Sequence, residues 1–307
     1  MKVISASEIE RIGISPLDAY DWVEDVFRHK RECILPPKIS MKNEEHRFYN
    51  TMPCELPFRN VFGVKEVNRY PGRTPSLDSK ILLYDLGTGR CKALMDGNLI
   101  TAVRTGAVAA LAVETLARKD YCTLGMMGLG LMARHTLRVL LAQRARRHAP
   151  VLMLNLYRYK DHAEKIAQEF AGENVEFRFF DSPVSMIRES DVVVSCVTYA
   201  DGPIAPDDAF RPGCLVVPVH TRGFQNCDLF FDKVFADDRG HVEGFRYFDR
   251  FRSFAELGDV LNGIAPGRES DEERILSYNI GIAAHDMYFA QNLYDRCGGL
   301  QEIDMEQ

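Results

Sequence analysis

Cys122-Thr-Leu-Gly-Met-Met127 runs directly into Gly128-Leu-Gly130-Leu-Met-Ala133, after which Ala133, Leu137, Leu140 and Leu141 recur at helical spacing. A short apolar run, a glycine turn and a one-faced helix, in that order, predict the opening unit of a dinucleotide-binding domain. The first glycine allows the tight turn and the second lets a pyrophosphate approach the backbone. The small third residue lets helix and strand pack closely. Unpaired N–H groups at the helix N-terminus, with the positive end of its dipole, then face the phosphates.

The pattern continues beyond the turn. Apolar runs at 122–127, 151–157, 175–180, 191–197, 214–219 and 233–237 alternate with helical segments, including 161–170 and one opened by Ser182-Pro183. The runs are too continuous to be half-exposed, as befits parallel strands covered on both faces. Ser182 is a cap residue followed by proline at the first helical position. The expected fold class is α/β, with a Rossmann doubly wound parallel sheet. The first 115 residues differ. Helical stretches at 7–12 and 16–30 precede strand-like runs at 47–52, 61–67 and 80–85, with a turn at Asp85-Leu-Gly87-Thr-Gly89. Antiparallel strands are the natural reading. A helix at 105–117 leads into the Rossmann part, and a last helix, 280–297, can fold back on the first domain. The expected division is 1–115 with 275–307 as an α+β domain completed by the C-terminal helix, and 116–274 as the Rossmann domain.

Composition narrows the class. The 307 residues carry a formal net charge of −6 with 27% charged residues, ordinary for a soluble protein. Arg144-Ala-Arg146-Arg147 reads as a solvated helix end rather than a nucleic-acid patch. The N-terminus lacks the apolar stretch of a signal peptide, and no apolar run reaches the roughly 18 residues of a membrane helix. Eight scattered cysteines, without Cys-x-x-Cys spacing, suit a reducing cytoplasm. Cys122, Cys196 and Cys214 fall inside apolar runs and are expected to behave as small hydrophobes. The eight histidines form no metal-ligand pair, so no metal site is expected.

The end of the second Rossmann strand selects between dinucleotides. Leu156-Tyr157-Arg158-Tyr159-Lys160 offers two cations and no acid before Asp161. That favours NADP(H) over NAD(H), with Arg158 on the 2′-phosphate and a tyrosine against adenine. The candidate cofactor residues are Gly128, Leu129, Gly130, Leu131, Met132 and Ala133, then Tyr157, Arg158 and Lys160. Thr105, Val197 and Val219 join them, the last two at strand ends.

Gly63-Val-Lys65 with Asn68, Asp85-Leu-Gly-Thr-Gly89, Ala102-Val-Arg104-Thr-Gly-Ala107, the glycine turn, and Gly263-Ile-Ala-Pro-Gly267-Arg268 with Asn279-Ile-Gly281 resemble the ornithine cyclodeaminase/mu-crystallin family from end to end. The resemblance implies a nicotinamide cofactor, a small amino or imino acid substrate, and a homodimer formed through the N-terminal domain. It assigns Lys65 to catalysis and Arg104 to the substrate carboxylate, which an arginine fork suits bidentately. Lys38, Asn50 and Gly281 join Lys65 and Arg104 as candidate substrate contacts.

Three departures shape the expectation. Lys38, in Pro36-Pro37-Lys38, stands where cyclodeaminases carry a second arginine, and Asn50 stands where they carry an acid. The loop Pro218-Val-His220-Thr221-Arg222-Gly223-Phe224 is shorter than the family's and lacks its catalytic aspartate. His220 is a candidate replacement acid or base, since imidazole titrates near neutral pH, and Arg222 a candidate for a second carboxylate. These features point to imine reduction or amino-acid dehydrogenation. Ornithine or lysine cyclodeamination is the alternative, and an NADPH-dependent ligand-binding protein of mu-crystallin type is the rival outside catalysis.

Overall fold

The computed structural model describes residues 1–43, 47–219, 223–224, 229–298 and 303. His220 and Arg222 lie outside these residues. The chain divides into two compact units, Met1–Arg104 with Gly281–Gln307, and Thr105–Ile280.

The first unit opens with β1 (Lys2–Ile4), α1 (Ala6–Ile12) and α2 (Pro16–Arg28). Ser5 and Glu8 close a reciprocal capping box on α1, and Ser15 with Pro16 starts α2. Then come β2 (Ile39–Lys42), β3 (Phe48–Leu56), β4 (Val61–Arg69), β5 (Leu77–Asp85) and β6 (Cys91–Asp96). They form a six-stranded sheet in the order β1-β6-β5-β4-β3-β2. β2 to β6 pair antiparallel, as expected, while β1 joins β6 in parallel. Met52, Cys54, Ile81, Leu83, Ala93 and Met95 are buried in alternation, so the centre of one sheet face is buried and the register is fixed. The 105–117 helix is longer than its apolar stripe implied. As α3 (Asn98–Leu116) it starts seven residues earlier, where Asp96 Oδ1 accepts from the Asn98 N–H. By length and composition α3 could cross a membrane, but 72% of its apolar window is buried.

The second unit contains β7 (Thr123–Met127), α4 (Leu131–Arg146), β8 (Leu152–Tyr157), α5 (His162–Glu169), β9 (Val175–Phe180), α6 (Pro183–Arg188), β10 (Val192–Ser195), β11 (Leu215–Pro218), β12 (Lys233–Ala236), β13 (Phe254–Glu256), α7 (Leu257–Leu261) and β14 (Ile275–Tyr278). Its sheet is parallel throughout, in the order β13-β12-β14-β11-β10-β7-β8-β9. The six expected strands are present and Ser182 caps α6. β13 and β14 were not expected from the sequence: β13 is the three-residue Phe-Ala-Glu, and in β14 Ser277 interrupts a short apolar run. Because β14 inserts between β11 and β12, residues 275–280 belong to this unit and not to the other. Cys122 is exposed, unlike Cys196 and Cys214, because the strand begins one residue after it. Arg144 is also not solvated. It is buried, donates to the Pro150 carbonyl and lies 4.7 Å over the Tyr121 ring.

The chain returns to the first unit through α8 (Ala283–Arg296), which crosses β3, β4 and β5 and packs on α2. Trp22 meets Phe289 edge-on at 4.9 Å. The approach is close because Gly63 has no side chain. A Cβ there would sit 2.5 Å from Met287 Sδ and 2.3 Å from the Leu82 carbonyl oxygen.

Strand order reverses between β7 and β10, and the glycine turn sits at that point. Gly128 has φ +74, and a Cβ on it would lie 2.4 Å from the Cys196 carbonyl carbon. Gly128→Ala should therefore destabilise the second unit by about 1–3 kcal/mol from backbone conformation alone, with the collision added. Urea unfolding should show a lower midpoint at constant slope; a midpoint equal to wild type would contradict this account.

Candidate active site

In the first unit, three charged side chains from distant parts of the chain meet in the interior. Lys65 Nζ on β4 donates to Asp286 Oδ1 on α8 at 3.0 Å, and Arg104 Nε on α3 donates to the same oxygen at 3.1 Å. Lys65 is 1% exposed, Arg104 5% and Asp286 0%. Burial lowers the Lys65 pKa to about 8, with the neighbouring Arg104 acting in the same direction and Asp286 opposing. Burial pushes the Asp286 carboxyl up, but Arg104 and Lys65 outweigh it and hold the pKa below the usual value. Asp286 Oδ2 accepts no hydrogen bond among the described residues. Gly281 adjoins the cluster at φ +96, and a Cβ on it would lie 2.3 Å from Arg104 Nη1. Its role is to leave room for the guanidinium.

Of the other expected substrate contacts, Asn50 is half-buried on β3, bonded to Ser40, and Lys38 immediately precedes β2. Asp286 itself escaped the sequence reading. Its signal was an acid five residues beyond Gly281, within the apolar stripe of the last helix. Periodicity alone treats such a residue as a surface position. Only burial shows that it must be paired.

In the second unit, the turn presents what a pyrophosphate needs. Gly130 is the exposed N-cap of the 16-residue α4, makes no side-chain cap bond, and has open space where a Cβ would point. The first-turn amides of α4 are then donors for an anion, so the residues fit a dinucleotide. Leu129 and Ala133 are buried, so Leu129 can serve a ligand only through its backbone, while Leu131 is 56% exposed and Met132 half-buried. Val197 and Val219 follow β10 and β11 at the carboxyl ends of the sheet, where the Val219 N–H donates to the Ser195 carbonyl at 2.8 Å. Thr105 is half-buried on α3. Tyr157 packs against the apolar core, and Tyr159 is the exposed aromatic, beneath Lys160 at 5.4 Å. Arg158 lies 5.0 Å over Phe179 and donates to Glu164 at 3.1 Å and Asp181 at 3.4 Å. Those two carboxylates come from α5 and the end of β9, so the local sequence could not show them.

A parallel sheet with a glycine turn at its reversal point defines a dinucleotide-binding α/β protein. The ornithine cyclodeaminase/mu-crystallin family model matches residues 2–300, and the chain belongs to that family. It is similar to the nodulation efficiency protein NfeD of Rhizobium meliloti, at 26% identity over 95% of this chain and 94% of the relative. It is also similar to a Bacillus cereus Delta(1)-pyrroline-2-carboxylate reductase, at 28% identity over 80% of each. Among solved structures, Thermococcus litoralis Delta(1)-pyrroline-2-carboxylate reductase in complex with NADH and L-proline superposes with a TM-score of 0.81. It is 25% identical, over 96% of this chain and 97% of that one.

Removing the shared carboxylate should be costly, because it leaves two buried cations without their counter-charge. Asp286→Asn should destabilise the fold by roughly 3–5 kcal/mol. The double variant with Lys65→Met should recover part of that loss, since it also removes one of the stranded charges. Thermal and urea unfolding of the two proteins provide the check, and a single variant as stable as wild type would remove Asp286 from its central role.

Proposed function

We propose that this protein is an NAD(P)-dependent oxidoreductase that reduces a small imino acid or, in reverse, oxidises the matching amino acid. The observation that carries the reading is the convergence of Lys65 and Arg104 on one buried carboxylate. Two positive charges against one negative leave a surplus that a substrate carboxylate would satisfy. Arg104 offers the planar fork for it. Lys65 Nζ, with its pKa at about 8, holds a proton at neutral pH and can pass it to the developing amine nitrogen. The nicotinamide, on the turn at 128–133, would supply or take the hydride. The pyrroline-2-carboxylate reductases among the similar proteins support imine reduction.

Cyclodeamination ranks lower, because the sequence 218–224 is shorter than the family's and has no aspartate to manage a side-chain amine. A carrier role without chemistry is the remaining rival. Tight NADPH binding with no turnover on any mixture of 2-oxo acid and amine would establish the carrier role instead.

NADP(H) is the preferred cofactor in this reading. Glu164 and Asp181 hold Arg158 only through exposed ion pairs, which are weak enough for a 2′-phosphate to displace. Arg158→Ala should weaken NADPH binding about tenfold or more, the equivalent of one charge-assisted bond, and change NADH binding little. Equal losses for both dinucleotides, measured by fluorescence titration, would place Arg158 away from the phosphate.

The Lys65 role has a pH signature. Reduction needs Nζ protonated, so kcat/KM in that direction should fall as pH rises through about 8; oxidation needs it neutral and should rise over the same interval. Lys65→Met should cut turnover by about 10²-fold or more and erase that limb while retaining dinucleotide affinity. A limb that persists in the variant would assign the proton to another group.

A further inference from the structure

The sheet face that carries Lys65 carries a second polar group, which the proton and hydride steps leave unused. Directly paired residues on neighbouring strands share a face. Met52, Lys65 and Ile81 therefore form one cross-strand row, and Ser40, Asn50, Val67 and Ser79 form the next. Asn50 lies diagonally from Lys65, a separation of about 7–8 Å in such a sheet, comparable with the length of a small amino acid. Ser40 Oγ donates to Asn50 Oδ1 at 2.7 Å. That bond engages one of the two lone pairs of the amide oxygen and leaves both N–H donors of the NH₂ for a ligand.

The neighbouring carboxylates do not balance this donor. Glu66 pairs with Thr51 on the opposite face, where Thr51 Oγ1 donates to it at 2.9 Å. Asp78 is opposite Asn68 on that same far face. Asp286 reaches the near face but is shared by Lys65 and Arg104. The face thus presents donors and surplus positive charge.

We propose that Asn50, positioned by Ser40, selects imino acids whose side chain ends in a hydrogen-bond acceptor, a carboxylate or carboxamide, over those ending in an apolar or ammonium group. This rests on the imino-acid reading of the same site. An amide donor rewards the acceptor, and the surplus positive charge repels an ammonium. An aspartate at position 50 would reverse both effects.

The test compares two imines formed in situ with ammonium, one from oxaloacetate and one from pyruvate, which differ by a single carboxylate. Wild type should show the higher kcat/KM for the oxaloacetate imine. Asn50→Leu, of similar volume but without the donor, should lower the ratio of the two constants about tenfold through KM. Asn50→Asp should lower it further by like-charge repulsion. Ser40→Ala should shift the ratio in the same direction by less, and Ser40→Thr, which keeps the hydroxyl, should restore it. A wild-type preference for the pyruvate imine, or a ratio unchanged in both Asn50 variants, overturns the specificity role and leaves imine reduction standing. A wild-type protein that reduces neither of these imines overturns the specificity role, and imine reduction itself falls only if Delta(1)-pyrroline-2-carboxylate is left unreduced as well.

Discussion

A carboxylate taken out of water must be answered by positive charge, and Asp286 is answered twice. Lys65 lies 221 residues away in the sequence and Arg104 lies 182 away, yet both donate to the same oxygen. Burying three ionised groups is unfavourable in itself; it is tolerated only where the geometry is close and the hydrogen bonds are made. Two missing side chains make that geometry available. Gly63 lets α8 approach the sheet, and Gly281 leaves room for the Arg104 guanidinium. The return of the chain to its first unit is therefore a condition for placing these two cations, beyond closing a hydrophobic surface.

The same cluster sets the chemistry available. A lysine in water stays protonated far above neutral pH and is a poor proton donor. Burial and the adjacent guanidinium bring Lys65 down to about 8, while Asp286 limits the fall. A group balanced in this way exchanges protons near physiological pH. The surplus positive charge left after Asp286 is shared is the feature on which the proposed binding of a substrate carboxylate rests.

The second unit works by geometry rather than charge. Its glycine turn lies where strand order reverses, and Gly128 approaches the backbone at the end of β10 too closely for any side chain. The open space at Gly130 and the start of α4 without a side-chain cap are features that fit an anion. Arg158 differs in kind. Its pairs with Glu164 and Asp181 are surface pairs, so they contribute little to holding the fold.

Local pattern determined the Rossmann unit, because a βα unit with its glycine turn is written within a dozen consecutive residues. Strand-like runs bounded by turns likewise marked parts of β3, β4 and β5. β13, with an acid in three residues, and β14, interrupted by Ser277, showed no continuous apolar run, and with them went the position of the second domain boundary. Lys65 and Arg104 were recognised through neighbouring motif residues, whereas Asp286 looked like one more helical acid. Asn50 was identified from its position, but its Ser40 partner and the face it shares with Lys65 follow from strand register. The sequence by itself thus determined which residue types were available and which segments would form a dinucleotide-binding sheet. Tertiary structure alone decided which charges would share a buried carboxylate, because pairing across some two hundred residues is set by packing and desolvation, and neither has a local period to read.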